Sequence, residues 1–172
     1  TDDEALAGKL SLAAKETADP VWRMPLWMGY DKDLRTRAAD ITNSPSGGMA
    51  GSTMKAATDV AAIREGFSLN DTFEGNSPID IAGTEFENQG DEDYGSAVSM
   101  IPATENSVNT AFVDMVDSMD NGPQKVIQAA EDLGIPGNET ERWGIPRKSI
   151  DFQDNVGVTL GTAQVSPINM AN

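Results

Sequence analysis

"GGMAGSTMKAATDVAAIREG", residues 47–66, passes from a glycine-rich loop into an alanine-rich helix, with Ser52 at the joint and Lys55 three residues on. Residues i and i+3 share one helix face, so the lysine amine can reach the serine oxygen. A serine at a helix N-terminus also meets free N–H groups and the positive end of the dipole, which stabilise developing negative charge. Burial would lower the lysine's pKa and free a neutral amine to act as base. The competing reading makes Ser52 an N-cap beside a solvated lysine.

Composition limits what such a pair could do. The chain has 172 residues, no histidine and no cysteine. That removes Ser-His-Asp and Cys-His catalysis, disulfides, and zinc sites built from imidazole or thiolate. A nucleophilic serine would have to be activated by a lysine, a carboxylate or a metal with oxygen ligands. With 28 acidic against 12 basic residues the net charge is −16, a surface that repels phosphate backbones and anionic lipid. No nucleic-acid partner is expected. No apolar run reaches the roughly 20 residues of a membrane span.

Outward from Ser52 the pattern is mostly helical. The helix at 52–65 should stop at Gly66. An earlier helix opens on a Thr1/Glu4 capping box, carries Leu6, Leu10, Ala13 and Ala14 on one stripe, and ends at Asp19-Pro20. Between them Trp22 and Trp27 belong to an aromatic, proline-containing segment read as core. After Gly66 the text is loop-rich and acidic. Asp91, Glu92 and Asp93 lack the alternating spacing of a calcium loop and read as a solvated turn. Val108, Ala111, Phe112, Met115, Val116 and Met119 form one buried helical face. A further helix starts at Pro123, carries Val126, Ile127, Ala130 and Leu133, and terminates at Gly134. Ser166-Pro167 opens a last, short helix. The expected fold class is mainly α, with α+β as the alternative, and long acidic loops.

"STMK" (52–55) is followed by "SVN" (107–109) at the head of the amphipathic helix. S-x-x-K with an S-D-N-type triplet belongs to the signature of penicillin-binding proteins and class A β-lactamases. "EGFSLNDTFEGNSPIDI", "NQGDEDYGSAVS", "ATENSVNTAFVDMV", "GPQKVIQAAEDLGIP" and "VGVTLGTAQVSPINMAN" resemble, in order, the transpeptidase domain of high-molecular-weight penicillin-binding proteins over about residues 50–172. The resemblance implies the helical subdomain of that fold and a D,D-transpeptidase that cross-links peptidoglycan by serine acyl transfer. It implies Ser52 as acylated nucleophile, Lys55 as its base, Ser107 as proton relay and Asn109 as the group that binds the amide of the peptide or β-lactam. The family's K-T-G triplet has no counterpart: the lysines after Asn109 are Lys125 and Lys148, in "QKV" and "RKS". Impaired acylation is expected from that departure.

Residues 2–52, with "PVWRMPLWMGY", "AADITN" and "GGMAGS", resemble instead the catalytic domain of the dizinc leucyl aminopeptidases of the M17 type. The Lys, Asp and Glu metal ligands of that family lie upstream of the resembled segment, so no position here inherits them, and no cofactor is expected. The two resemblances meet in a shared A-G-S, dividing the chain into 1–51 and 52–172, as a chimera or assembled sequence would. Peptidoglycan stem peptides or β-lactams are the implied partners. An extracytoplasmic location follows from the second segment, a cytoplasmic one from the first. The alternatives are an aminopeptidase-derived metallopeptidase fragment and a non-catalytic structural or assembly protein. Val165, Ile168 and Met170, with Trp22, Leu26 and Trp27, are apolar groups short of partners, and predict a homo-oligomer or a partner-bound chain.

Overall fold

The computed structural model describes residues 48–138, 149 and 151–170. The expected helix at 1–19 and the Trp22–Trp27 segment lie outside the described residues. At the quoted stretch, a short strand β1 (Gly48–Met49) and a 3-10 turn (Gly51–Thr53) lead into helix α1 (Met54–Glu65). The helix stops where the sequence says it should. Gly66 adopts φ 101°, its N–H donates to the Ile63 carbonyl at 3.1 Å, and Phe67 N–H reaches back to Ala62 at 3.0 Å. This closure needs a left-handed residue, which glycine supplies without a Cβ penalty.

Met54, Lys55, Ala57, Thr58, Ala61 and Ala62 are the buried positions of α1. They form one stripe at helical spacing, and their small side chains let other elements approach closely. Facing that stripe lies α3 (Asn109–Asp117), whose Ala111, Phe112, Met115 and Val116 are fully buried. Helix α4 (Gly122–Asp132) and a 3-10 turn at Val156–Leu160 complete the packing around α3. Inside this core the hydroxyls of Thr58 and Thr159 lie 2.7 Å apart, both buried. One hydroxyl donates to the other and Thr58 Oγ1 also reaches the Met54 carbonyl at 3.4 Å, so the buried pair is satisfied and ties α1 to the 156–160 turn.

Two sequence expectations need correction here. In α4, Leu133 is exposed and Ala129 is buried instead. The helix closes at Gly134, again left-handed at φ 113°; Leu133 still has helical dihedrals yet lies at the surface, and Ile135 beyond the turn fills the inward place. The acidic stretch after Gly66 is also not simply loop. Strand β2 (Thr72–Phe73) pairs antiparallel with β5 (Val98–Ser99), and β3 (Ile79–Ile81) with β4 (Thr84–Phe86) across Ala82-Gly83. Both loop residues have positive φ, the two-residue geometry whose twist matches the flanking strands. Strands of two or three residues are too short to show a period of two.

Between β5 and α3 sits α2 (Met100–Glu105), a helix with no counterpart among the sequence expectations. Pro102 is tolerated there because the first-turn N–H groups have no helical partner to lose. The final helix, α5 (Pro167–Met170), begins at Ser166-Pro167 as the sequence indicates. Strand β6 (Gln164–Val165) pairs with β1, Gly48 opposite Val165 and Met49 opposite Gln164. The described residues are therefore mixed helix and strand, with helices forming the core beside three two-stranded ladders. Among the described residues, no helix is long and apolar enough to cross a membrane.

Candidate functional site

Ser52 stands on the 3-10 turn that precedes α1. Its flanking backbone is pinned from one side: Ala50 N–H donates to the Ala163 carbonyl and Gly51 N–H to the Gly161 carbonyl, each at 3.0 Å. The Ser52 side chain is exposed and makes no capping hydrogen bond to the helix. The N-cap reading of this serine is thereby corrected. The 3-10 turn runs into the helix with helical dihedrals at Thr53, leaving no extended cap residue for a side chain to serve from.

One turn on, Lys55 is only 3 % exposed. Its Nζ lies over the buried Phe112 ring, 5.3 Å from the ring centroid. The amine meets four oxygens: the Ser107 carbonyl at 2.6 Å, Asn109 Oδ1 at 2.7 Å, Ser107 Oγ at 2.9 Å and Ser52 Oγ at 3.5 Å. Burial pulls its pKa down from 10.5 to about 8. None of the ion pairs among the described residues involves Lys55. A neutral amine has two protons and one lone pair. Two of its partners, the Ser107 carbonyl and Asn109 Oδ1, can only accept, so they take the protons and leave the lone pair for a hydroxyl.

Ser107 occupies an unusual backbone position. It closes α2 with φ 54°, its N–H donating to Thr104 at 3.1 Å while Val108 N–H reaches Ala103 at 2.9 Å. That is the same helix closure made by Gly66 and Gly134, here with a serine where glycine is the usual residue. An L-residue in this conformation costs about 1–2 kcal/mol, and the result is that both oxygens of Ser107 face Lys55.

Asn109 is the first residue of α3. Its Nδ2 donates to the Glu87 carbonyl at 2.9 Å while Oδ1 accepts from Lys55. The four residues singled out from the sequence thus lie around one amine, although Ser107 and Asn109 are more than fifty positions from Ser52.

Sequence reasoning missed the supports. Asn88, in the acidic stretch, is 4 % exposed and hydrogen-bonded through its whole amide. Asp59, one turn beyond Lys55 on α1, has its pKa raised to about 6 by burial, with the Thr104 hydroxyl opposing that shift. Asn88 had no motif around it. Asp59 had only its place one turn after a candidate base.

Comparison with known proteins gives two results. The profile of the cytosol aminopeptidase family, catalytic domain, matches residues 1–111. A protein named probable cytosol aminopeptidase from Chlorobium luteolum is 36 % identical over 90 residues, covering 52 % of this chain and 16 % of the relative. One from Paraburkholderia phymatum is 38 % identical over 82 residues, covering 48 % and 14 %. The aligned stretch is thus less than a fifth of the length of these relatives. In three dimensions the chain is similar to the penicillin-binding protein PonA1 of Mycobacterium tuberculosis. The TM-score is 0.62 at 26 % identity, over 77 % of this chain and 33 % of that one. It also shares the fold of penicillin-binding protein A from the same organism, with TM-score 0.57 at 19 % identity over 83 % and 37 %. With residues 1–111 matched by the catalytic-domain profile, the chain belongs to the cytosol aminopeptidase family.

Proposed function

We propose that the Ser52–Lys55 cluster is a serine acyl-transfer site of the penicillin-binding type, taking peptidoglycan stem peptides or β-lactams. The observation that carries this reading is the buried Lys55 amine held between Ser52, Ser107 and Asn109. In the reaction the Ser52 hydroxyl gives its proton to neutral Lys55 Nζ, and Oγ attacks the amide carbonyl carbon. The C–N bond then breaks, and the leaving nitrogen takes its proton through the Ser107 hydroxyl. Asn109 binds the amide being cleaved. Neighbouring solved structures support the choice of ligand, since one is PonA1 in complex with penicillin V and another an acyl-enzyme complex of penicillin-binding protein A.

The test is intact mass after incubation with a penicillin. Cleavage of the lactam leaves the nitrogen attached to the acyl group, so the whole drug mass should add to the chain. Ser52→Ala should show no adduct. An unmodified wild-type chain, or an adduct that survives Ser52→Ala, rejects the reading.

A second reading rests on the aminopeptidase profile over residues 1–111. It makes the chain part of a metallopeptidase, and zinc-dependent hydrolysis of leucyl substrates would favour it over acyl transfer. The acyl-transfer reading goes with a division at residues 51/52, as a chimera or assembled sequence would have, and with an extracytoplasmic location. Val165 is buried and Met170 packs against the core, so self-association or a bound partner rests instead on exposed Met49, Ile63, Ile101 and Leu133.

A further inference from the structure

Val108, the residue before α3, has no side chain that can cap, and no side-chain cap is present at that position. The orphan N–H groups of the first turn must find acceptors elsewhere. One of them, Thr110 N–H, donates to Asn88 Oδ1 at 3.0 Å, and Thr110 Oγ1 lies 3.2 Å from the same oxygen. The cap of α3 is therefore supplied by a residue twenty-two positions upstream. The other end of the Asn88 amide is equally committed. Nδ2 donates to the Gly75 carbonyl at 3.0 Å and to the Glu92 carbonyl at 2.9 Å. An asparagine amide has two protons and an oxygen with two acceptor directions, and here all four are used. Even the backbone is held, Asn88 N–H donating to Ser77 Oγ at 2.9 Å.

The neighbours of these two residues are themselves paired: Glu87, before Asn88, receives Asn109 Nδ2, and Asn109 precedes Thr110. Two adjacent loop residues thus grip two adjacent helix residues. The Glu87 carbonyl requires a donor, which settles the orientation of the Asn109 amide and turns its oxygen to Lys55. Were that amide reversed, its NH2 group would confront the lysine amine, donor against donor.

We propose that Asn88 is a positioning residue of the Ser52–Lys55 site, fixing the Glu87 carbonyl that orients Asn109 and thereby holding the Lys55 amine in its closed cluster. This rests on the acyl-transfer reading for its functional meaning, while its structural content can be judged separately. Asn88 touches none of the reacting atoms. It acts through Asn109.

The experiment follows the Lys55 side chain by NMR of its Cε and Nζ during a pH titration, alongside penicillin acylation. In Asn88→Ala the clamp is gone, water reaches the amine, and the Lys55 midpoint should move from about 8 toward the ordinary 10.5. Acylation should slow by about tenfold or more, since small displacements of a reacting group carry large rate penalties. Its pH midpoint should rise in step. Met119→Ala, a core truncation away from the clamp, should destabilise the fold and leave the Lys55 midpoint in place. Asn88→Ser, which keeps a hydroxyl acceptor for Thr110, should shift the midpoint the same way by less, and carries the test if the alanine variant does not fold. A folded Asn88 variant with an unmoved Lys55 midpoint, or a Met119→Ala shift as large, overturns the proposal. If wild-type chain takes up no penicillin, the acyl-transfer reading fails, and the titration still decides whether Asn88 positions Lys55.

Discussion

Gly161 and Gly51 meet backbone to backbone, and a Cβ placed on Gly161 would fall 2.1 Å from the Gly51 carbonyl oxygen. Gly161 also has φ 69°, a left-handed conformation. Gly161→Ala therefore suffers twice, from its own dihedral and from the collision, and should cost about 2 kcal/mol or more. Because Gly51 adjoins Ser52, the damage should reach the site. Urea denaturation gives the stability loss, and the penicillin adduct measured by mass should form more slowly than the destabilisation alone would cause.

Ser107 should behave in the opposite way. Glycine relieves its left-handed backbone at a gain of about 1 kcal/mol, partly offset by the greater freedom of the unfolded chain. Ser107→Gly should thus be as stable as wild type or slightly more so, while losing the hydroxyl 2.9 Å from Lys55. A more stable protein with slower acylation is the expected outcome, read by paired urea melts and adduct kinetics. Lower stability would mean that the hydroxyl contact outweighs the strain.

Lys55 makes stability depend on pH in the alkaline range. Folded Lys55 releases its proton near pH 8, whereas the unfolded chain keeps it to about 10.5. Between those values the unfolded state binds more protons, so stability rises with pH. Below pH 8 both states are protonated and the burial penalty is fully present. The rise should be at most about 3 kcal/mol, and Lys55→Met should abolish it. Urea midpoints at pH 7.5 and 9.5 for both proteins provide the check. If Lys55 is the base, acylation should climb through the same midpoint near pH 8.

Asp59 acts in the acid range with the opposite slope. Burial raises its pKa from 3.8 to about 6, so between those values the folded state holds the extra proton. The stabilisation is present below pH 3.8 and lost as pH rises through 6. Asp59→Asn keeps an oxygen for the Thr104 hydroxyl, now 3.3 Å from both carboxylate oxygens, and cannot ionise. It should raise the melting temperature at pH 7 and flatten its change between pH 4.5 and 7. An unchanged slope in the variant would assign that titration to another group.

What was legible in the sequence follows the range of the forces involved. The stop of α1 at Gly66 and the inward face of α3 are local matters of period and capping, and the structure has them where the sequence puts them, whereas α1 starts at Met54 rather than Ser52. The four candidate residues were picked out by motif, and their meeting around the Lys55 amine is a product of packing. Leu133 was misplaced because the inward place at the end of α4 goes to Ile135, beyond the helix. The strands between Thr72 and Ser99 escaped notice because their pairing partners, not their own residues, define them. Asn88 was invisible for a related reason: its role consists of bonds to Gly75, Glu92 and Thr110, none of them a sequence neighbour.

Among the described residues the pairing of β1 with β6 covers two residues on each side, extended by the Ala50 and Gly51 amides. Short edge ladders are the parts of a fold that open most readily, at free energies well below global unfolding. Ser52 should therefore open together with this ladder, separately from the core that anchors Lys55. Amide hydrogen exchange should reveal this as fast, denaturant-insensitive exchange at Ala50 and Gly51, set against slow exchange at Ala62 and Phe112. Ser52 and Lys55 would then belong to two different units of cooperative opening, and the time they spend apart would set an upper limit on how often the pair is assembled.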